Sequence, residues 1–597
     1  MNFNRHDYSD DFLRHTYRQL LKPRMIEEKM LVLLRQGRIA KWFSGIGQEY
    51  KIIGMISHLG PQMGVADGIA LAHKLRKEQR CTAVFSGDGG ASEGDFHESI
   101  NVAAVWDLPV IFIIENNGYG LSTPSNEQFR CKQFIDKGIG YGIDAVQVDG
   151  NNILEVYHAV NQIAQSIRMN PRPVLLECLT FRMRGHEEAS GTKYVPQHLF
   201  EEWGKKDPVV NFENYLLNEN VLNAETIHHI REEIKNESEQ GLEITFAEED
   251  VKPDTAKETR EIYFPFNFTE QKPTGAEKEM RFLDAITDAM RLGLKKYPNM
   301  VIMGQDIAEY GGVFKATQGF VEEFGKDRIR NTPLCESAIL GAGLGLSING
   351  YKSIVEMQFA DFVTCGFNQI INNLAKTHYR WGQNADVIVR MPTGAGVGAG
   401  PFHSQSNEAW FFHTPGLKIA YPAFPADAKG LMLTSIDDPN PVMYFEHKAL
   451  YRSITGMVPD GYYTLPFGKA NLVKQGEDIS IITYGFGVHW AIEALTKHPH
   501  INADLIDLRT LLPWDEEAVI QSVKKTGKAI ILHEDTLTGG IGAEIAARIA
   551  EKCFMYLDAP VVRSASLDTP IPMSSALEWN FLPKDRFEKQ LLELYQF

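Results

Sequence analysis

The sequence predicts an α/β protein of three doubly wound parallel-sheet domains. Three observations carry that expectation. Short apolar strands alternate with amphipathic helices in three successive stretches of the 597-residue chain. A polar, proline-containing segment, EEDVKPDTAKETREIYFPFNFTEQKPTG, interrupts the alternation after the first stretch. Within that stretch, Gly87-Asp88-Gly89 and Asn116-Asn117-Gly118-Tyr119 close successive predicted strands, where parallel sheets hold their ligands.

In chain order, residues 11–41 read as helix-rich, because RMIEEKMLVLLRQGRI sets apolar residues on one side and charges on the other. Ile69–Lys77 reads as a helix, Thr82–Ser86 as a strand and Asp95–Trp106 as the next helix. Val110–Ile114 and Pro173–Cys178 are further strands. Residues 198–245 are charged and helical. The first domain is therefore expected over 1–250 and a linker over 251–275. A second domain, 276–460, carries strands near Met300–Gly304, Ser353–Met357 and Val387–Arg390. A third, 461–597, contains DISIITYGFG, ADLIDL and AIILHED, each a strand leading toward a helix.

Composition bounds the function. Hydrophobic residues are 44% and charged residues 23%, ordinary for a globular protein. The net charge of -17 argues against nucleic acid as the main partner, since phosphate binding needs a basic face. No apolar run reaches membrane-spanning length, so no membrane partner is expected. The opening MNFNRHDYSDDF is polar and acid-bearing, unlike a secretory signal. Six cysteines without a CxxC pair lie in apolar stretches, which reads as reduced, buried thiols in a cytoplasmic protein.

The two turns carry the chemistry. A predicted helix joins their strands, and 26 residues separate Gly89 from Asn116. Asp88 offers a carboxylate, Asn117 an amide oxygen and Tyr119 its backbone carbonyl. These are hard oxygen ligands suited to Mg²⁺, with diphosphate and water completing an octahedron. Gly87 and Gly89 let the backbone approach phosphates. GDG alone is also a common turn of α/β folds. Paired with NNG at this spacing, it resembles the fingerprint of thiamine diphosphate (ThDP) enzymes.

Other segments widen the resemblance. SHLGPQ, GDGGASEGDFHESINVAA, ENNGYGLSTP and FRMRGHEEASG look like the α subunit of ThDP-dependent 2-oxo acid dehydrogenases, the decarboxylating component. GQDIAEYGGVF, NTPLCESAILG, MQFADF, FHSQSNEAW, PADAKGL, ALYR, DLRTLLPWD and LTGGIGAEIA look like the β subunit, most like its branched-chain members. The resemblance covers nearly the whole chain, as if the two subunits were fused head to tail. It implies transketolase-like domains: an α-subunit-like diphosphate and Mg²⁺ domain over 1–250, a pyrimidine-binding domain over 276–460 and a transketolase C-terminal-like domain over 461–597. It further implies oxidative decarboxylation of a 2-oxo acid, acyl transfer to a lipoyl domain of the acyltransferase core, and a homodimer of fused chains.

The resemblance also implies roles for single residues. Glu336, in PLCESAILG, matches the glutamate that hydrogen-bonds a ring nitrogen of the cofactor and so promotes loss of the thiazolium proton. A glutamate at a helix start equally suits the helix dipole. His186 matches a site-lining histidine on a loop that orders with the cofactor, and Arg182 a residue that contacts the diphosphate. His403, in PFHSQS, matches the histidine that aids acyl transfer. Ser57 and Leu59 match residues flanking the cofactor, the leucine propping its bent form. Phe362 matches an aromatic packed on the aminopyrimidine; it reads equally as a core aromatic. GAGVGAG follows a strand as a dinucleotide loop would, but PFHSQS comes next and no helix opens from it.

One departure stands out. Relatives carry a long stretch between GQE and the segment that here begins YKIIGMISHLG, whereas here Glu49 joins Tyr50 directly. In relatives that stretch bears an arginine on the diphosphate and a wall of the substrate pocket. Its loss leaves three expectations open: a branched-chain enzyme, a pyruvate or acetoin relative, and an impaired remnant that only assembles or docks.

Overall fold

Runs such as VIFIIEN, apolar on consecutive residues, suit a strand covered on both faces. In the computed structural model, which describes residues 1–36, 38, 57–186 and 191–597, that run is the strand Val110–Asn116 with Val110–Ile114 buried. The chain divides into two compact units. The first comprises Met1–Ala66 and Lys77–Thr255, the second Asp67–Arg76 and Ala256–Phe597.

The first unit holds a four-stranded parallel sheet: β1 Thr82–Gly87, β2 Val110–Asn116, β3 Asp144–Asp149 and β4 Val174–Leu179, in the order β1-β2-β4-β3. Gly87 pairs with Glu115 and Asn116 with Leu179, so the carboxyl ends of β1, β2 and β4 align. Strand β3 escapes a reading by apolar runs, because DAVQVD is acidic at both ends. Helix Gly94–Val105 joins β1 to β2, and helix Ile153–Met169 leads from β3 toward β4. Helix Asp10–Arg35, capped by Ser9 on the Phe12 amide, buries Leu13, Tyr17 and Leu21 with Phe212, Leu216, Ile230 and Ile234 of two later helices.

The second unit holds two further large sheets, besides a two-stranded antiparallel ribbon of Glu277–Arg281 with Thr455–Pro459. The larger comprises β5 Met300–Gly304, β6 Ile329–Asn331, β7 Lys352–Glu356, β8 Val387–Thr393, β9 Lys418–Ala420 and β10 Val442–His447. The smaller comprises β11 Asn471–Lys474, β12 Ile479–Thr483, β13 Ala503–Asp507, β15 Ala529–Thr536 and β16 Val562–Ser566, in the order β11-β13-β12-β15-β16. Between β13 and β15 in sequence, β14 Thr510–Leu512 crosses to the larger sheet and pairs antiparallel with β9, giving the larger order β14-β9-β10-β8-β7-β5-β6. The three expected sheets are present, yet the last two belong to one compact unit.

The expected linker is also more structured than its composition suggests. It includes a short helix, Thr255–Arg260, and is then pinned to the second unit. The Tyr263 hydroxyl donates to the Leu417 carbonyl at 2.9 Å, the Phe264 amide to Asn440 Oδ1 at 2.8 Å and the Gln271 amide to Thr464 Oγ1 at 2.9 Å. Four aromatics inside the polar stretch, Tyr263, Phe264, Phe266 and Phe268, give it something to bury. Of the cysteines, Cys178, Cys335 and Cys553 are buried as expected, Cys81 and Cys131 are half-buried, and Cys365 is exposed. No helix among the described residues is long and apolar enough to cross a membrane.

The larger sheet encloses a charged core. Arg390, 1% exposed, donates from Nε and Nη2 to the Glu446 carboxylate at 2.7 and 2.6 Å, and from Nη1 to Glu356. The Tyr451 hydroxyl closes the network on Glu446 at 2.7 Å. Burial raises the pKa of Glu356; Arg390 opposes that shift and Glu446 adds to it.

Candidate functional site

The first unit assembles one half-site at the carboxyl edge of its sheet. β1 ends at Gly87 and β2 at Asn116, and the GDG and NNG turns follow directly. Their backbones touch: a Cβ on Gly89 would stand 2.6 Å from Gly120 Cα, so glycine is required there. Gly118 has φ +81, the left-handed region that favours glycine. Asp88 is fully buried. Its Oδ2 accepts from the Ser125 hydroxyl, whereas its Oδ1 is buried with no hydrogen-bond partner among the described residues. Asn117 Oδ1 accepts from the Tyr119 amide at 3.1 Å and keeps a free lone pair. A buried carboxylate oxygen lacking a donor, set among turns closed to side chains, fits the oxygen donor set of a divalent cation.

Arg182 and His186 come to the same edge, since both follow β4. Arg182 Nη1 lies 3.2 Å from His186 Nδ1. Its Nη2 donates to the Leu121 carbonyl at 2.7 Å and to the Tyr194 hydroxyl at 3.2 Å. Leu121 has φ +60, an uncommon conformation for a leucine, and its carbonyl is thereby available to the guanidinium. Leu59 joins the group through Glu93, whose carboxylate accepts from the Leu59 and Gly60 amides at 3.1 and 2.8 Å. Ser57 is exposed and forms no hydrogen bond among the described residues. The Glu49–Tyr50 junction and the residues 187–190 after His186 lie outside the described residues.

The second unit assembles Glu336, Phe362 and His403. Glu336, half-buried, opens the helix Glu336–Ile348, which is buried for most of its length. The 3₁₀ segment Ala360–Gly366 lies beside it, with a Cβ on Gly366 reaching 3.2 Å from the Glu336 carbonyl oxygen. That segment carries Phe362, whose ring meets His403 edge-on at 5.5 Å. Phe359 meets the same imidazole at 4.8 Å. Phe362 is thus an aromatic wall for His403 and not solely a core residue. Under Phe359, the Lys448 ammonium donates to the Gly394 carbonyl at 2.7 Å. Burial lowers its pKa to about 8, against the pull of Asp361, Glu534 and Glu578.

Besides Glu93, two further supporting carboxylates were not singled out from sequence. Glu177, 1% exposed on β4, accepts from Asn116 Nδ2 at 2.7 Å and Gln147 Nε2 at 2.8 Å. Asn116 Oδ1 in turn accepts from the Gly118 amide at 3.1 Å, shaping the turn that presents Asn117. The signal was available, as a lone acid inside the apolar run PVLLECL. Asp361, beside Phe362, accepts from the Gln405 amide at 3.2 Å and side chain at 2.9 Å, which ties the 3₁₀ segment to the His403 loop.

The metal assignment has a direct check. Asp88→Ala is expected to weaken ThDP together with Mg²⁺ by about ten- to a hundredfold, the worth of one charged ligand. Calorimetric titration in both orders of addition measures it, and equal affinities in parent and variant would remove Asp88 from the site.

Three family models match the chain. "Dehydrogenase E1 component" matches residues 35–255, "Transketolase, pyrimidine binding domain" 278–453 and "Transketolase, C-terminal domain" 468–586. Among curated relatives, the 2-oxoisovalerate dehydrogenase subunit beta of Bacillus subtilis is 44% identical over 324 residues, spanning 53% of this chain and 99% of the relative. The pyruvate dehydrogenase E1 component subunit beta of the same organism is 41% identical over 302 residues, 50% of this chain and 93% of the relative. A solved structure described as "Split gene transketolase, inactive beta4 tetramer" aligns at a TM-score of 0.44 and 20% identity, covering 54% of this chain and 99% of that one.

Proposed function

The chain belongs to the thiamine-dependent 2-oxo acid dehydrogenase E1 family, and from that premise we propose that it oxidatively decarboxylates a branched-chain 2-oxo acid of the 2-oxoisovalerate type. The carboxylate leaves as CO₂, and the acyl group passes to a lipoyl domain of an acyltransferase core, whose dithiolane is reduced and S-acylated in the same step. The observation that carries the reading is the buried Asp88 oxygen at the GDG turn, which has no hydrogen-bond partner among the described residues and suits a divalent cation. The branched-chain choice rests on relatives such as the 2-oxoisovalerate dehydrogenase beta subunit.

When bound, ThDP supplies a carbon nucleophile for the 2-oxo group and an electron sink for decarboxylation. The chain's residues do the rest. Asp88, Asn117 and the Tyr119 carbonyl hold Mg²⁺, and Gly87 and Gly89 admit the diphosphate. Arg182, with His186 beside it, supplies charge-assisted hydrogen bonds to anionic oxygens. In the first unit Leu59 and Ser57 would flank the cofactor, and in the second Phe362 would offer a face to an aminopyrimidine. Glu336 holds a proton at a cofactor ring nitrogen. His403 moves a proton at the acyl acceptor. Two fused chains associate as a two-fold dimer, which the native mass at micromolar concentration measures.

Release of CO₂ from 2-oxoisovalerate at a higher kcat/KM than from pyruvate is the expected result, and the reverse order overturns the branched-chain reading. The junction at Glu49–Tyr50 sets the level. An arginine contact to diphosphate is worth about 1.5–3 kcal/mol, so inserting a relative's segment there should tighten ThDP by roughly ten- to a hundredfold. If the unmodified chain already binds ThDP tightly and turns over at the restored chain's rate, the shortening is harmless.

A further inference from the structure

The loop that carries His403 leaves β8 at Thr393 and runs as a glycine-rich excursion, GAGVGAGPFHSQS, with positive φ at Gly394, Gly396, Gly398 and Gly400. Such a backbone has many alternatives and little side-chain packing of its own, so something must select one conformation. Glu534, on β15 and 5% exposed, lies at its neck. One carboxylate oxygen, Oε1, accepts from the Ala395 amide at 2.6 Å at the start of the loop. The same oxygen accepts from the Ser406 hydroxyl at 3.1 Å at its end. The other oxygen, Oε2, lies 2.6 Å from His447 Nε2.

We infer that Glu534 is a positioning residue for His403, closing the neck of the loop and holding the imidazole against Phe359 and Phe362. The inference rests on the proposed role of His403. Glu534 is a side chain of the C-terminal region acting on a loop of the pyrimidine-binding region, within the same compact unit. Other carboxylates hold other parts of the loop. Glu578 takes the Gly396 and Gly398 amides, and Asp361 takes Gln405. Glu534 alone among them joins both ends through one atom.

All three of its contacts are donors. The Ala395 N–H and Ser406 O–H are donors by nature. The His447 ring accepts the Ala449 amide at Nδ1, 3.2 Å away, which leaves the proton on Nε2 facing Glu534. Burial by itself would raise the Glu534 pKa. His447, the Ala395 amide and Lys448 outweigh it and hold the group below the usual carboxylate range, ionised and accepting at both oxygens. An amide at this position keeps the shape but has one accepting atom, and its NH₂ must face a donor.

The test is therefore Glu534→Gln, read at His403 without turnover. Amide hydrogen exchange over 396–404 should accelerate about tenfold or more. The ring-current shift imposed on the His403 protons by Phe359 and Phe362 should collapse, and diethyl pyrocarbonate should modify His403 faster by a similar factor. Amides of Ala529–Thr536 should exchange at the parent rate, which separates loss of the neck from loss of the sheet. If Glu534→Gln does not fold, Ser406→Ala removes a single donor, and the same readouts should move by roughly two- to fivefold. Unchanged loop exchange and an unchanged His403 shift, in a folded Glu534→Gln or otherwise in Ser406→Ala, overturn the inference. Acyl transfer that survives His403→Ala would instead remove the proposed catalytic role of His403, a failure of that reading that the exchange data report separately.

Discussion

Replacing Glu336 by glutamine should slow exchange of the thiazolium proton of bound ThDP by about 10²–10⁴-fold, the usual worth of a positioned acid–base group. Glu336 is half-buried at the start of a buried helix, and its side chain forms no hydrogen bond among the described residues. A carboxylate so placed is free for a ligand and needs no internal contact broken to reach one. Glutamine preserves volume and hydrogen-bonding capacity but cannot take up and return a proton. Cofactor affinity and thermal stability should therefore change little while exchange, followed by deuterium loss at the reactive carbon, falls. An exchange rate equal to the parent's would show that the helix dipole is the only use of this glutamate.

Arg390→Met should destabilise the second unit by about 3–5 kcal/mol, because it leaves two buried carboxylates without their cation. The methionine matches the stem of the arginine but offers nothing to Glu356, 3% exposed, or to Glu446, fully buried. The pH dependence has a defined sign. Glu356 already titrates above its ordinary range, with burial the largest cause. A carboxyl whose folded pKa is raised contributes stability that is complete below its unfolded pKa and is lost as pH rises through the folded value. Removing Arg390 pushes that value further up. The variant's deficit in denaturant melts should be larger near pH 8 than near pH 5. A deficit below about 1 kcal/mol, the scale of an exposed pair, would show that the network is solvated in solution.

Much of the molecule was legible without coordinates. Strand Met300–Gly304 and the turns after β1 and β2 could be read because apolar runs and glycine turns are local properties. The placing of Asp88 and Asn117 at one edge followed from two strands and a connecting helix, because such a unit makes the strands parallel and sets both carboxyl ends at the same edge. The third strand of the first unit, DAVQVD, was hidden because its charges are surface choices and its pairing with Val174–Leu179 is a long-range event. The tail 261–273 looked like a tether because hydrophilicity is a local average, whereas its attachment depends on Leu417, Asn440 and Thr464.

The sequence by itself determined the family and the alternation of strand and helix, and it supplied Asp88, Asn117, Arg182, His186, Glu336, Phe362 and His403 as candidates for the proposed site, since motifs record residues that chemistry needs at short spacing. Tertiary structure decided which groups hold them: Glu177 behind Asn116, Glu93 on Leu59, Asp361 and Glu534 on the His403 loop, and Arg390 between two acids. The contacts on which that support depends join residues 34 to 139 positions apart in the chain. A buried charge is tolerable only where the fold brings it its partners. Nothing in the local sequence states that a glutamate on an inner strand of the last sheet will meet an amide and a hydroxyl of a glycine-rich loop. Only packing of the two sheets of the second unit makes it so.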